Sequence, residues 1–492
     1  MAPQNIQHLP SELLIHCCSY LSSSTRDIQN LRLASKALNN ASSLFLLDSL
    51  TVKINPESIS LLEAVSSHPI ISKSIGKIRL CLCFYNNVPD LETRADLMGE
   101  CNRCVFSHFV AITRIFNSVE WSADEEQQFE MIKERGHSVL QALSYAEMGM
   151  NLDSAPETIR PETIQLITNA LDAYQRRYDD QQMVLKDGTH LSRIGQALSK
   201  LCRPLTFELY GYDITLKNEF FPENSSIALM KERFTSDQVC LEVMLHAMTT
   251  RGQNLTVEVE RSFGDTFKGI FNQLSKYQIF PARFNVDFNV PKHMELFRPT
   301  ELERDTIRSI LQKADHLSFS LYWWSKQHPN FGVYISKERF IEMEHLASFT
   351  RTFFDTESLQ SFALNLHDYS PHTDPPYISL YDLLPDCRWP RLQFLNLFAV
   401  PFHQREIQKL VALHQNSLQV LEMKSLSLLS GSWKNSFEAL RGLGKLDAVS
   451  CVWPMGGEFG NGDNEDDLVH TFDEKSACEY ILGIKGAENP LT

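Results

Sequence analysis

Cys101-Asn102-Arg103-Cys104 with His108, and Cys81 and Cys83 upstream, is the grouping in this chain best suited to chemistry by residue type and spacing. A Cys-x-x-Cys pair offers two thiolates at a bite that tetrahedral zinc accepts, and a second pair would complete the site. The same residues have a plainer reading. Cys101, Cys104 and His108 recur at three- and four-residue steps, one face of a helix, and cysteine is among the most buried residue types. His367-Asp368 with His372 lies in a proline-rich turn and reads as a loop rather than a ligand set. The sequence holds no Gly-x-x-x-x-Gly-Lys-Ser/Thr phosphate loop, no His-Glu-x-x-His helix and no Gly-x-Ser-x-Gly elbow. None of its eleven cysteines stands in a setting that marks an activated thiol. The expectation is a protein that is not an enzyme, with no catalytic residue, cofactor or metal. The alternative is an enzyme or zinc protein whose site carries no recognisable signature.

What remains is recognition by shape, and the elements that would build it are strands. Ile75 to Phe84 reads as a strand with apolar residues on alternate positions. An apolar rhythm returns at Leu205-Thr-Phe207-Glu-Leu209, Leu317-Ser-Phe319-Ser-Leu321, Leu359-x-x-Phe362-x-Leu364-x-Leu366, Leu392-x-x-Leu395-x-Leu397, Leu418-x-x-Leu421-x-Met423 and, weakly, Leu443-x-x-Leu446. The last four begin 33, 26 and 25 residues apart, close to the period of a leucine-rich repeat. Stacked repeats of this kind bury strand edges that none could bury alone, giving a curved parallel sheet with helices outside. The spacing therefore predicts an α/β fold, an irregular leucine-rich-repeat-like solenoid over residues 55–492. The asparagine that usually follows such a strand is missing, with Val400 and Leu426 in its place. A compact α/β domain with unrelated leucine strands is the competing reading.

With the leucines inward, alternate residues face the open, concave side: His316, Ser318, Ser320 and Tyr322, then Phe394, Asn396 and Phe398, then Val420, Glu422 and Lys424. Tyr322, Phe394, Asn396, Phe398, Glu422 and Lys424 are the expected substrate-binding positions, because outward aromatics on a soluble chain are frequent binding anchors. The competing reading covers Phe394 and Phe398 with helices. Recognition of a phosphate would need converging cations, with Lys77, Arg79 and Lys445 as the candidates. A helical insertion is expected at about 120–200, with helices over Glu125 to Met148, Pro161 to Leu185 and Leu191 to Leu201. Met455 to Glu474 holds seven carboxylates and no Lys or Arg, and reads as a flexible acidic loop.

The formal charge of −15 argues against a nucleic-acid binder or an anionic-membrane binder, which need clustered Lys and Arg. No apolar run approaches a membrane span, no secretory leader opens the sequence, and irregular cysteines point to reduced thiols, hence a cytoplasmic or nuclear protein.

The first fifty residues pack apolar side chains into short amphipathic turns. Leu9-Pro10 and Glu12 open one helix, with Leu13, Leu14, Cys17, Tyr20 and Leu21 along one side. Ser24 and Asp27 stand at capping-box spacing before a second, with Ile28, Leu31, Ser35 and Leu38 on one face. Ala41 to Leu50 reads as a third. So small a unit seldom stabilises itself alone, so its apolar surface is covered either by the rest of the chain or by another protein. Leu9-Pro10-x-Glu12-Leu13-Leu14, Tyr20-Leu21, Arg26-Asp27-Ile28, Leu31-Arg32-Leu33-x-Ser35-Lys36 and Leu44-Phe45 resemble an F-box, especially those of filamentous fungi, and place it at residues 5–50. The resemblance implies docking on a Skp-type adaptor and, through it, on the cullin and RING subunits of an SCF-type ubiquitin ligase, with the remaining chain selecting a protein substrate. Leu9, Pro10, Leu13, Leu14, Leu31 and Leu33 are the positions it marks for adaptor binding or for packing of the motif. An interaction protein acting outside a cullin ligase is the alternative. Cys17 and Ala34 replace a larger isoleucine and valine, so looser helix packing is expected, at roughly 0.8 kcal/mol per lost methylene.

Overall fold

A computed structural model describes residues 9–491 apart from 22–23, 88–90, 118–121, 202, 204, 213–240, 242–243, 246–247, 249–255, 290, 292, 323–336, 355, 368–378, 385–388 and 460–472. At the N-terminus, helices α1 (Ser11–Ser19), α2 (Thr25–Ala34) and α3 (Lys36–Ser42) form a small unit. Ser24 caps α2 by accepting from Asp27 N–H at 3.4 Å. The single long second helix expected through Leu38 is instead two. Ser35 is fully extended (φ −165°, ψ 161°) and its hydroxyl accepts from Leu38 N–H, so one helix ends there and the next begins. The expected third helix over Ala41 to Leu50 is also corrected: α3 stops at Ser42, Ser43–Phe45 is one 3-10 turn, and Leu50 already lies in a strand. Leu50, Val52 and Ile54 alternate with polar residues, and that two-residue period prevails over helix-like Leu44 to Leu47.

That strand, β1 (Ser49–Lys53), begins a parallel sheet continued by β2 (Lys77–Cys81), β3 (Thr206–Tyr210), β4 (Arg283–Asn289), β5 (His316–Tyr322), β6 (Ser361–His367) and β7 (Phe394–Phe398). After short β8 (Pro401–His403) come β9 (Val420–Lys424), short β10 (Ser427–Ser430), β11 (Ala448–Val452) and short β12 (Met455–Gly456). Among the described residues nine strands pair in the order β1-β2-β3-β4-β5-β6-β7-β9-β11, so every strand lies beside those that precede and follow it along the chain, apart from the short ones. β8, β10 and β12 make a second parallel sheet. The leucine rhythm marks most of the long strands but not β1, β4 or β11: Leu443 and Leu446 stand before β11, and the register sets Val449 and Cys451 beside Leu421 and Met423.

Helices cover one face of the large sheet. α4 (Pro56–Ser67) follows β1. Between β2 and β3 run α5 (Leu91–Asn117), α6 (Ala123–Glu147), α7 (Pro161–Asp187) and α8 (His190–Leu198). α9 (Val257–Lys276), α10 (Glu301–Leu311), α11 (Lys337–Phe354), α12 (Leu380–Leu383), α13 (Gln404–His414) and α14 (Trp433–Leu440) alternate with the later strands, and α15 (Glu474–Ile481) packs on β11. Phe284, Phe319, Phe362 and Leu395 are wholly buried beneath them with rings of Phe267, Phe349 and Phe353. Each such side chain contributes about 1.5–3 kcal/mol by leaving water. α8 packs between α4 and α9 as part of this layer. α5, α6 and α7 instead gather round a second core with Cys83 and Tyr85, just past the end of β2. The helical segment thus begins at Leu91, well ahead of position 120.

The last three repeats share a backbone device. Ala399, Ser425 and Trp453 each follow a long strand immediately and each has a left-handed φ, +53°, +53° and +51°. The turn aims the next residues into β8, β10 and β12. Val400 and Leu426, standing where the asparagine was missed, are buried, and their carbonyls accept from Ser427 N–H and Met455 N–H. Backbone pairing in the second sheet therefore satisfies these two carbonyls. The expected acidic loop is corrected at both ends. Met455 and Gly456 are β12, and Glu458 accepts from Trp433 and Lys434 N–H, capping α14. Asp473 caps α15 through Ser476 N–H. Residues 460–472 of that stretch lie outside the described residues.

Candidate functional site

The N-terminal helices carry the first candidate surface. Their core is Leu14, Cys18, Ile28, Leu38 and Ala41, a cluster separate from the one beneath the sheet. Arg32 Nε ties α2 to α3 and to the 3-10 turn, donating to Asn39 Oδ1 at 3.0 Å and Ser43 Oγ at 3.1 Å. The connection to the sheet is both polar and apolar: Asp48 O accepts from Gly76 and Lys77 N–H, Ser74 Oγ donates to Leu47 O, and the Leu47 side chain packs against the core beneath the sheet. The six positions marked by the sequence divide into two sets. Leu14 is core, and Leu9 and Leu31 pack partly against it. Pro10, Leu13 and Leu33 face solvent, Leu33 at 87% exposure and Leu13 at 49%. Tyr20 and Leu21 are exposed as well. The inward side of α1 is Leu14 and Cys18, not the run through Cys17. Cys17 and Ala34 are exposed, which corrects the expectation of loose packing, since neither borders the core.

The second candidate surface is the sheet face opposite the helices. Parallel register aligns its residues in rungs. One rung reads Arg79, Glu208, Asn285, Ser318, Ala363, Asn396, Glu422 and Ser450; the next reads Cys81, Tyr210, Asp287, Ser320, Asn365, Phe398, Lys424 and Val452. Over β2 to β4 the rungs are charged and largely paired with one another, though Asn285 Oδ1 is buried with no hydrogen-bond partner among the described residues. Buried Glu208 accepts from Arg79 Nε at 3.1 Å, Tyr210 OH at 2.9 Å and Asn285 Nδ2 at 3.2 Å, with Lys77 Nζ at 3.4 Å. Burial, reinforced by the Glu208 carboxylate, pushes the Tyr210 phenol well up, so it remains a donor. Tyr212 OH donates to Asp287 at 2.9 Å. Lys77 and Arg79 therefore converge on a carboxylate of the chain itself. Lys445 stands at the far end of the sheet, just before β11, and does not join them.

Over β7, β9 and β11 the face changes character. Phe394 pairs with Val420, Asn396 with Glu422 and Phe398 with Lys424 across adjacent strands. Asn396 Nδ2 donates to Glu422 Oε2 at 2.6 Å. Lys424 Nζ lies 5.5 Å from the Phe398 ring centre and 5.1 Å from that of Trp453. Phe394 and Phe398 are half-buried and Lys424 is exposed. Five of the six expected positions thus come together. Tyr322 is two strands away on β5, and its side chain lies outside the described residues. Trp453, 54% exposed, was not anticipated, because it follows its strand instead of sitting at an alternate position within it. Residues of the second helical core come from none of these strands.

The cysteine grouping sits elsewhere. Cys101 and Cys104 are buried on the inner face of α5, and Cys101 Sγ donates to Met244 O at 3.5 Å. Burial raises the Cys101 thiol well above its ordinary range, as expected of a core thiol. The His108 and His367 side chains, with Asp368 and His372, lie outside the described residues. Among the described residues no group of three or more His, Cys, Asp or Glu could hold a metal ion, and no helix is long and apolar enough to cross a membrane. No family model matches the chain, and no curated protein matches it.

Proposed function

We propose that this chain is the substrate-receptor subunit of an SCF-type cullin-RING ubiquitin ligase. In this reading the N-terminal helices are an F-box that docks on a Skp-type adaptor, and the parallel sheet is an irregular leucine-rich-repeat-like solenoid that holds a protein substrate. One observation carries it: a three-helix unit with its own five-residue core leaves Pro10, Leu13 and Leu33 in water beside the F-box-like sequence pattern. Isolated exposed leucines are ordinary, but several on so small a core are suited to a partner. The receptor itself transfers nothing. It raises the effective concentration of a substrate lysine near the charged ubiquitin carrier.

The test uses exposed positions, so that folding and docking separate. Leu13→Asp combined with Leu33→Asp is expected to cut recovery of a co-expressed Skp-type adaptor at least tenfold, about 1.4 kcal/mol, while the urea transition of the sheet stays where it is. Undiminished adaptor recovery would refute the proposal. Leu14→Ala, by contrast, empties a core site at a cost of about 2–5 kcal/mol and is expected to lose the adaptor by melting the unit. Adaptor captured without cullin would make the chain an interaction protein outside the ligase.

A further inference from the structure

The left-handed turn after each of the last three long strands is occupied by Ala399, Ser425 and Trp453. Left-handed backbone suits glycine, asparagine or a small residue, and is least suited to a bulky side chain. Tryptophan at the third turn thus stands against local preference, and it is not there to fill the core, because it is more than half exposed. Its ring faces Lys424, which Phe398 faces from the neighbouring strand. The ammonium is held at two ring faces and, among the described residues, meets no carboxylate, whereas the cations Lys77 and Arg79 at the other end of the sheet are both engaged by Glu208. The open face here also carries Phe394 and Val420, two rungs from Phe398 and Lys424 and beyond the Asn396–Glu422 rung.

We propose that Lys424, clamped between Phe398 and Trp453, is the anchoring point for the substrate, and that it takes an extended peptide segment bearing a carboxylate beside an apolar side chain. This rests on reading the sheet as the receptor surface. An ammonium over aromatic faces loses freedom of movement before any ligand arrives, so less ordering remains to oppose binding. The rings provide apolar area immediately around the charge. Together these select an anion with an apolar neighbour, in preference to a neutral or basic segment. The charged rungs of β2 to β4 offer less, because a peptide would have to break ion pairs already made. Strands about 4.8 Å apart and peptide residues about 3.3 Å apart mean that about five residues cross from β6 to β11.

The probes are two fluorescein-labelled peptide pools of about five residues, randomised over Leu, Ile, Val and Phe and differing only in Glu or Gln at the centre. Binding to the full chain is read by anisotropy, with adaptor recovery measured on the same preparations. The Glu pool is expected to bind about tenfold tighter than the Gln pool, to weaken in high salt, and to lose that advantage in Lys424→Met, which keeps the aliphatic stem but not the charge. Trp453→Ala is expected to weaken the Glu pool and Lys445→Met to leave it unchanged. Equal binding of the two pools, an unaltered Glu-pool affinity in Lys424→Met, or no binding by either pool would overturn the assignment. Intact adaptor recovery beside such a result removes the peptide class alone. Lost adaptor recovery beside a retained Glu preference removes the ligase reading and leaves the anchor standing.

Discussion

At the scale of single residues, the buried histidines set an acid limit on stability. His414 ends α13, is almost wholly buried and stacks on Trp389 with ring centres 5.9 Å apart. Burial lowers its affinity for a proton below the ordinary 6.5, against a smaller opposing effect of a backbone hydrogen bond with Trp389. His190 and His316 are lowered by burial in the same way. The unfolded chain protonates these rings near the ordinary value while the folded chain does not. Their contribution is therefore complete above that value and is lost as pH falls through the lower, folded values. The urea midpoint is expected to drop from pH 7.5 toward pH 5, and His414→Leu is expected to flatten part of that drop. A midpoint equally steep in the variant would deny His414 its share.

At the scale of elements, the second sheet depends on one close approach. Gly456 has φ +72°, and a Cβ there would run into the carbonyl oxygen of Leu428 on β10. Gly456→Ala is expected to cost about 2 kcal/mol or more, from backbone strain together with the clash, read as a lower urea midpoint. An unchanged midpoint would show β12 to be dispensable. Legibility at this scale followed the strength of local periodicity. Leu317-x-Phe319-x-Leu321 and Leu395-x-Leu397 announce their strands, and Pro161 with Glu162 announces α7. β4 alternates Phe284, Val286 and Phe288 as cleanly, but Pro281 stands where the repeats have Leu359, Leu392 and Leu418, and the element escapes a search for leucines. The break at Ser35 escapes because a serine inside a helical pattern and a serine capping a new helix look alike until the backbone is seen. Trp453 is invisible for a related reason, since its exposure follows from a turn that only the register of β9, β11 and β12 defines. The interior face of the sheet could be read from sequence, whereas the pairing of Lys77 and Arg79 with Glu208 could not, because it joins strands separated by the helical segment.

At the scale of the whole molecule, two cores of very different size share one chain. Five buried residues hold the N-terminal helices, while the cluster beneath the sheet runs from Leu50 to Ile481. Local stability follows buried apolar contact, so amides of α1 to α3 are expected to exchange with deuterium well before those of β4 to β7. Simultaneous exchange of both regions would mean that they unfold as one. The order of the strands also shapes how the chain comes into being. Because every long strand settles beside one made earlier, a polypeptide emerging from the ribosome can extend its sheet as it lengthens, with little search among distant segments. Its longest halt falls between β2 and β3. After β2 the next strand to arrive, β3, waits for α5 to α8 to be synthesised. Throughout that pause the outer edge of β2 stands open, and the nascent protein is then most in need of a chaperone.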